Sequence, residues 1–345
     1  MMDNSSPLVS VVMSVFNGEA YIASAIESVL NQTYENFEFI LLNNASTDRT
    51  KNIVLSYKDT RTLFVDNPAN LGFTSSLNKG CRMAKGKYIA RLDADDIAHP
   101  KRIEKQVDFL EKNPDISVLG TCYVLIDSVG NEIKNVVMPD TEEKIFLQTL
   151  FTSPVCHSSV FIKRSVMNHL HYYPENFPYY QDYALWINVI KSGYKICNLR
   201  EYLVSVRQHE NTATGKHFQE RHMTENVGAY KVIIKDILKM DISEKEAENL
   251  YTLYYMIDEL KNEDLENAII TLKRISDRLV PVLGINKIEI YKELLYRICS
   301  CSRFYYNQKY YGNKKYLHSY LGILYFYYIV AKKCMKFLRP YAAKR

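Results

Sequence analysis

The sequence predicts an α/β protein with a mostly parallel sheet carrying helices on both faces, followed by a helical C-terminal region. Three observations predict this. β-rich apolar runs alternate with helically spaced ones through roughly the first 130 residues. Carboxylates cluster in Asp93-Ala94-Asp95-Asp96, at the C-terminal end of one apolar run, where open α/β sheets bind ligands. Past about Lys216 the strand signal stops and the composition becomes helical. The expected organisation is an α/β domain over 1–215 and a helical region over 216–345.

Taken in order, Leu8 to Val15 is the first strand, punctuated by Asn17-Gly18. Ala20 to Leu30 carries Ile22, Ala25, Ile26, Val29 and Leu30 at helical spacing. Phe37 to Leu42 is the second strand, and Ser46 or Thr47 is placed to cap the helix that follows. A weak strand near Leu63-Phe64-Val65 leads through Asn67-Pro68-Ala69-Asn70-Leu71-Gly72 into a helix reaching about Ala84. Lys85-Gly86-Lys87 turns into Tyr88 to Leu92, the strand ending at the acidic cluster, and a helix runs from Lys101 to Leu110. Beyond Asn113-Pro114, Ser117 to Ile126 and Glu132 to Met138 read as a hairpin across Ser128-Val129-Gly130-Asn131. Glu142 to Phe151 reads as helix, His157 to Ile162 as strand, Asp182 to Ile190 as helix and Tyr194 to Val206 as extended chain.

Length and composition bound the function. A chain of 345 residues with 47% apolar and 24% charged residues holds ample core for one large and one smaller domain. The seven cysteines have neither zinc spacing nor a pairing framework, which fits a reducing compartment. The N-terminal residues lack the pattern of a signal peptide, so a cytosolic location is expected. From Leu294 to Arg345 there are eleven Lys or Arg and no acid. That tail is +11 against a whole-chain charge of +5, which leaves residues 1–293 at −6. The tail also contains Tyr320 to Ala331, an apolar, Tyr-rich run of twelve residues flanked by lysine pairs. It is short of the ~20 residues that span a bilayer, and it suits a helix lying on an anionic leaflet. A buried terminal helix is the alternative. Nucleic acid is not an expected partner, because the aromatics stand apart from most of the basic residues.

The acidic cluster carries the chemistry. Crowded carboxylates repel one another unless a cation or a firm hydrogen-bond set holds them. Mg²⁺ or Mn²⁺ takes oxygen ligands and keeps phosphate oxygens in its shell, so a metal–diphosphate site is one reading and a solvated acidic turn the other.

Several ordered motifs resemble the family 2 glycosyltransferases with the GT-A fold. They are Pro7 to Asn17, Ala25 to Tyr34, Ala45-Ser46-Thr47-Asp48, Asn70-Leu71-Gly72, Ala84 to Ile89 and Asp93-Ala94-Asp95-Asp96. The resemblance covers roughly residues 7–210. It implies an inverting transfer of a sugar from a nucleotide-diphosphate donor, a UDP-sugar foremost, to an acceptor hydroxyl on a lipid-linked or oligosaccharide acceptor. The implied setting is surface polysaccharide synthesis at the inner membrane face, alongside other glycan-assembly enzymes. Asp93 and Asp95 match the DxD pattern that holds a divalent metal, with Asp95 the direct ligand and Asp93 nearer the ribose or a metal-bound water. His209, in Val206 to Asn211, resembles a segment that sometimes adds an imidazole ligand. Tyr180-Gln181-Asp182-Tyr183 resembles the acidic motif that supplies the general base, here Asp182, with Gln181 where Glu is usual. Ser14 and Phe16 are expected to border the nucleotide. Asn43-Asn44 stand where two Asp are usual, with Asn44 at the position that contacts the base. His157-Ser158-Ser159 aligns with a segment near donor sugar and acceptor. Arg91 and Lys79 are within the types that touch phosphate, but each reads first as a solvated surface charge. Two other classes stay open: a degenerate member acting as a sugar-nucleotide or membrane-binding scaffold, and a sugar-1-phosphate nucleotidyltransferase. The second lacks its glycine-rich basic loop here.

Overall fold

A computed structural model of the chain describes residues 6–177, 180–209, 218–255, 262–283 and 290. It contains two compact units, Met1–Gln219 and Glu220–Arg345. The basic, Tyr-rich tail lies outside the described residues.

The first unit is built on a nine-stranded sheet of order β3-β2-β1-β4-β8-β6-β9-β5, with β7 paired to β6. The strands are β1 (Val9–Val15), β2 (Phe37–Asn43), β3 (Thr62–Asp66), β4 (Tyr88–Arg91), β5 (Ile97–Ala98), β6 (Ile116–Ile126), β7 (Glu132–Val136), β8 (Phe161–Lys163) and β9 (Lys195–Arg207). The expected parallel pairing holds for β3-β2-β1-β4. Beyond β4 the sheet is mixed: β8 runs antiparallel to β4 and β6, while β9 runs parallel to β6. The β6–β7 hairpin forms as the sequence suggests.

Strand β1 is buried along its whole length because both sheet faces are covered. Val9, Val11, Met13 and Val15 face one core with Ile22, Ile26 and Val29 of α1 (Ile22–Leu30) and Ile103, Val107 and Leu110 of α4 (Arg102–Lys112). Val12, Ile40 and Leu42 face the other with Leu77 and Cys81 of α3 (Phe73–Met83) and Leu185, Trp186 and Val189 of α7 (Gln181–Lys191). Each fully buried Val, Leu or Ile stabilises the fold by ~1.5–3 kcal/mol, so this two-sided burial fixes where β1 and β4 end. Gly86 lets the β4 approach pass β1: a Cβ there would sit 2.6 Å from the Ser10 backbone nitrogen and 2.7 Å from the Leu8 carbonyl oxygen.

Helix α2 (Thr50–Ser56) is preceded by Asp48, whose carboxylate accepts from the Thr50 N–H at 3.0 Å. Ser46 and Thr47 instead bind Asn17 and stitch the loops after β1 and β2 together, which corrects the expected cap. Helices α5 (Glu142–Thr149) and α6 (Arg164–His169) flank a 3-10 turn at His157–Ser159, so the strand expected from His157 begins only at Phe161. Helix α7 ends in a Schellman turn: Gly193 at φ 75° donates to Ile190, and Tyr194 donates to Val189.

The second unit holds α8 (Phe218–Leu238), α9 (Glu244–Tyr255) and α10 (Asn262–Leu283). Tyr230, Ile233, Leu250, Leu253, Leu272 and Leu279 form its buried side. Among the described residues no helix is long and apolar enough to cross a membrane.

Candidate active site

The acidic cluster follows β4, the innermost parallel strand, and its three carboxylates have three different environments. Asp93 pairs with the Arg91 guanidinium and accepts from the Ser158 hydroxyl at 2.7 Å. Burial alone would raise its carboxyl, but the Arg91 charge and the Ser158 hydrogen bond bring it below the ordinary range. Asp95 turns the other way and meets His209 Nε2 at 3.0 Å. Burial, with Asp93 adding to it, raises the Asp95 carboxyl, and His209 offsets part of the rise.

Asp96 is buried, accepts from the Arg207 N–H at 2.8 Å and contacts Ser158. Burial, then Asp95 and Asp93, push its carboxyl well above the usual carboxylate range. Ser158 has one hydroxyl proton for two carboxylates. The consistent assignment is a neutral Asp96 donating to Ser158 Oγ, while Ser158 donates to Asp93 and accepts the Asp93 N–H at 3.1 Å. Arg207 completes the frame. Its Nε reaches the Asp95 carbonyl at 2.9 Å, its Nη1 reaches Asp127 and Ser128 at 3.2 Å, and its guanidinium lies 4.8 Å over the Tyr21 ring. The His209 ring also packs on Tyr21, with centroids 4.8 Å apart.

Among the described residues no group of three His, Cys, Asp or Glu is arranged to hold a metal. The expected trio is therefore divided. Asp95 and His209 come together, whereas both Asp93 oxygens are engaged by Arg91 and Ser158. Two donors bound at ~2.1 Å and at right angles would sit about 3 Å apart, so the Asp95–His209 spacing fits adjacent positions around an octahedral cation.

Arg91 overturns the solvated reading. It is 2% exposed, lies 5.4 Å from the Phe73 ring, and its Nε and Nη1 have no hydrogen-bond partner among the described residues. A charged residue inside an otherwise apolar, doubly covered strand was the available signal for this. Lys79, also read as a surface charge, binds Asn67 Oδ1 at 2.7 Å.

Asn44, expected beside the nucleotide base, is bonded within the protein. Its Nδ2 donates to Asn70 Oδ1 at 2.9 Å and the Gly72 carbonyl at 3.3 Å, and its Oδ1 accepts from Asn67 at 3.1 Å and the Leu71 N–H at 3.0 Å. All four hydrogen-bonding positions of the amide are filled, so it shapes the 67–72 loop. Asn43 is likewise committed, donating to Asp66 at 2.7 Å. The Ser14 hydroxyl is turned inward to Ser76 at 2.8 Å, while Phe16 stands half exposed at the end of β1.

Asp182 occupies the first turn of α7 without being its cap. Burial raises its carboxyl to about 6, and the Asp93 charge adds to the rise against the Tyr183 backbone hydrogen bond. The helix terminus does not hold it at an ordinary carboxylate value, because desolvation outweighs it. Gln181 and Trp186 are buried beside it, and Trp186 belongs to the core. Asp93 and Arg91 act on Asp182 electrostatically, so the candidate base and the acidic turn share one region of the molecule. Ser158 and Arg207 complete this region from segments the sequence had already singled out, whereas Tyr21 and Tyr173 carried no local sequence signal of their own.

Residues 10–170 match the family model described as glycosyl transferase family 2. An uncharacterized glycosyltransferase of Haemophilus influenzae is 35% identical over 282 residues, 73% of this chain and 87% of that protein. The putative glycosyltransferase EpsE of Bacillus subtilis is 36% identical over 210 residues, 59% of this chain and 74% of its own. Two solved structures share the fold at 15% identity. S. aureus TarS 1-349, in complex with UDP, superposes with a TM-score of 0.54 over 88% of this chain and 92% of that one. The mannosyltransferase PcManGT from Pyrobaculum calidifontis, in complex with GDP-Man and Mn2+, superposes with a TM-score of 0.55 over 89% of each.

Proposed function

The chain belongs to glycosyl transferase family 2, and from that premise we propose that it transfers a sugar from a nucleotide-diphosphate donor to an acceptor hydroxyl with inversion. Asp182 is the general base, and the acidic turn after β4 is the diphosphate side of the site. The observation that carries this is the place of Asp182 in the first turn of α7 without being its cap, where burial pushes its carboxyl up to about 6 and Asp93 adds to the rise. A base is most effective with a pKa near the working pH, where it is ionised yet still basic enough to take a hydroxyl proton. An Asp that served only as a helix-end carboxylate would not need so desolvated a position.

Asp95 and His209, 3.0 Å apart, are the residues that would hold a divalent cation, Mn²⁺ or Mg²⁺. When bound, such a cation neutralises charge on the departing diphosphate. Arg91 keeps Asp93 ionised, and Ser158 with neutral Asp96 fixes the shape of the turn. Arg207 locks the turn to the β6–β7 hairpin. Together these contacts hold the donor side rigid, so the reacting atoms meet in line.

TarS is in complex with UDP or UDP-GlcNAc and PcManGT with GDP-Man, which supports a nucleotide-sugar donor here, a UDP-sugar being the first to test. The acid-free, Tyr-rich tail supports a lipid-linked acceptor and residence at the inner face of the membrane, within surface polysaccharide synthesis. The test is calorimetric binding of UDP, dTDP, GDP and CMP with Mn²⁺ and again with EDTA. Metal-dependent binding of one nucleotide is expected. Binding of none would replace the enzyme by a scaffold.

A further inference from the structure

His157 and Tyr173 form a built pair that the chemistry above does not use. Tyr173 reaches its place through an unusual backbone. Helix α6 ends in a Schellman turn, with His171 donating to Asn168 and Tyr172 to Met167, and the left-handed C′ position is filled by His171 rather than glycine. Tyr172 is left-handed as well, so two consecutive side-chain-bearing residues stand at φ 58° and 72°. Such conformations persist where the surroundings over-determine them. Here the buried Asn78 does so. Its Oδ1 accepts from the Tyr173 N–H and its Nδ2 donates to the Tyr173 carbonyl, both at 2.9 Å.

The device delivers the Tyr173 hydroxyl to His157 Nε2 at 3.0 Å. The imidazole is held edge-on between two rings, Tyr173 at 5.5 Å and Phe73 at 6.5 Å between centroids. Tyr173 is 3% exposed, and burial raises its hydroxyl well above the ordinary value, so the phenol keeps a proton for which His157 Nε2 is the acceptor at hand. Burial and the Arg91 charge lower His157 to about 3, so the ring is neutral. A neutral imidazole that accepts at Nε2 carries its own proton on Nδ1. Among the described residues none accepts from that Nδ1–H. The ring feels Asp93, and Tyr173 feels both Asp93 and Asp182. Geometry ties the pair to the acidic turn: Ser158, the next residue, hydrogen-bonds Asp93, and Phe73 packs on both His157 and Arg91.

We propose that His157 is a sugar-reading residue, donating from Nδ1–H to an oxygen of the transferred sugar, and that Tyr173 is the positioning residue that fixes its tautomer. This rests on the transferase reading above. A site built to hydrogen-bond a substrate oxygen discriminates strongly, because its donor is left unpaired by a ligand that lacks the acceptor.

Two measurements on the full chain test it. Nitrogen NMR of ¹⁵N-histidine-labelled protein, with His157 assigned by its absence in His157→Ala, should show Nδ1 protonated and Nε2 accepting. Tyr173→Phe should release that tautomer. Calorimetry then compares UDP with UDP-glucose and UDP-GlcNAc, and GDP with GDP-mannose. His157→Ala and Tyr173→Phe should bind the free diphosphate as the wild type does and lose about tenfold of the affinity that the sugar adds. His157→Asn, which returns an N–H near the Nδ1 position, should recover part of it. An Nε2–H tautomer in the wild type, or a sugar increment unchanged in His157→Ala, overturns the proposal. A wild-type chain that binds no diphosphate at all fails earlier, and takes the transferase reading down with it.

Discussion

Replacing Asp182 by Asn should stabilise the protein while disabling it. The carboxyl sits at about 6 in the folded chain, against an ordinary value of roughly 3.9 when unfolded, a gap worth about 3 kcal/mol of folding free energy. The side chain keeps partial solvent exposure, which screens the penalty to about 1–2 kcal/mol. The sign follows from proton binding. Between about pH 4 and 6 the folded state holds a proton that the unfolded state has released, so stability falls as pH rises through that window. The cost is complete above the folded value and absent well below the unfolded one. Asp182→Asn removes it, and its gain in stability should be about twice as large at pH 8 as at pH 5. Turnover should fall by about 10²–10⁴, the usual contribution of a general base. Denaturant unfolding at both pH values, run beside a donor-turnover assay, reads the two effects on the same preparations. If Asp182 serves only the helix terminus, the variant will instead lose ~0.3–1 kcal/mol at pH 8 and turn over near normally. That result would refute the assignment and the electrostatic argument together.

Asn44→Ala removes four hydrogen bonds from a buried amide and leaves Asn67, Asn70 and the Leu71 N–H without their partner. It should cost about 2–4 kcal/mol in denaturant unfolding, and a loss below about 0.5 kcal/mol would contradict the role given to it. Gly86→Ala drives a Cβ to 2.6 Å from backbone that cannot retreat. A loss of about 1–3 kcal/mol is expected, with normal turnover per folded molecule. Removing the residues after Tyr291 takes away the acid-free basic segment. It should abolish co-sedimentation with anionic lipid vesicles, and unchanged sedimentation would return that segment to a packing role.

The elements themselves were legible because periodicity reports burial. The all-buried β1, the amphipathic α1 and the Gly130-containing hairpin each follow from spacing within a dozen residues. The acidic turn and the α7 motif with Asp182 were legible as positions: the chemistry of a carboxylate is local even when its partners are not. Tertiary structure decided which partners those are. Asp95 meets His209 across 114 positions, Asp96 meets Arg207 across 111, and Asp93 meets Ser158 across 65. No spacing rule spans such distances, so one acidic run became an ionised, a hydrogen-bonded and a neutral carboxyl only once folded. Burial likewise turned Arg91 from an apparent surface charge into an interior one. It also pushed the Asp182 carboxyl up to about 6, and engaged the Asn44 amide in the 67–72 loop. Sequence fixes which groups are available. The free energy of desolvating them, and the partners folding brings within 3 Å, decide what each can do.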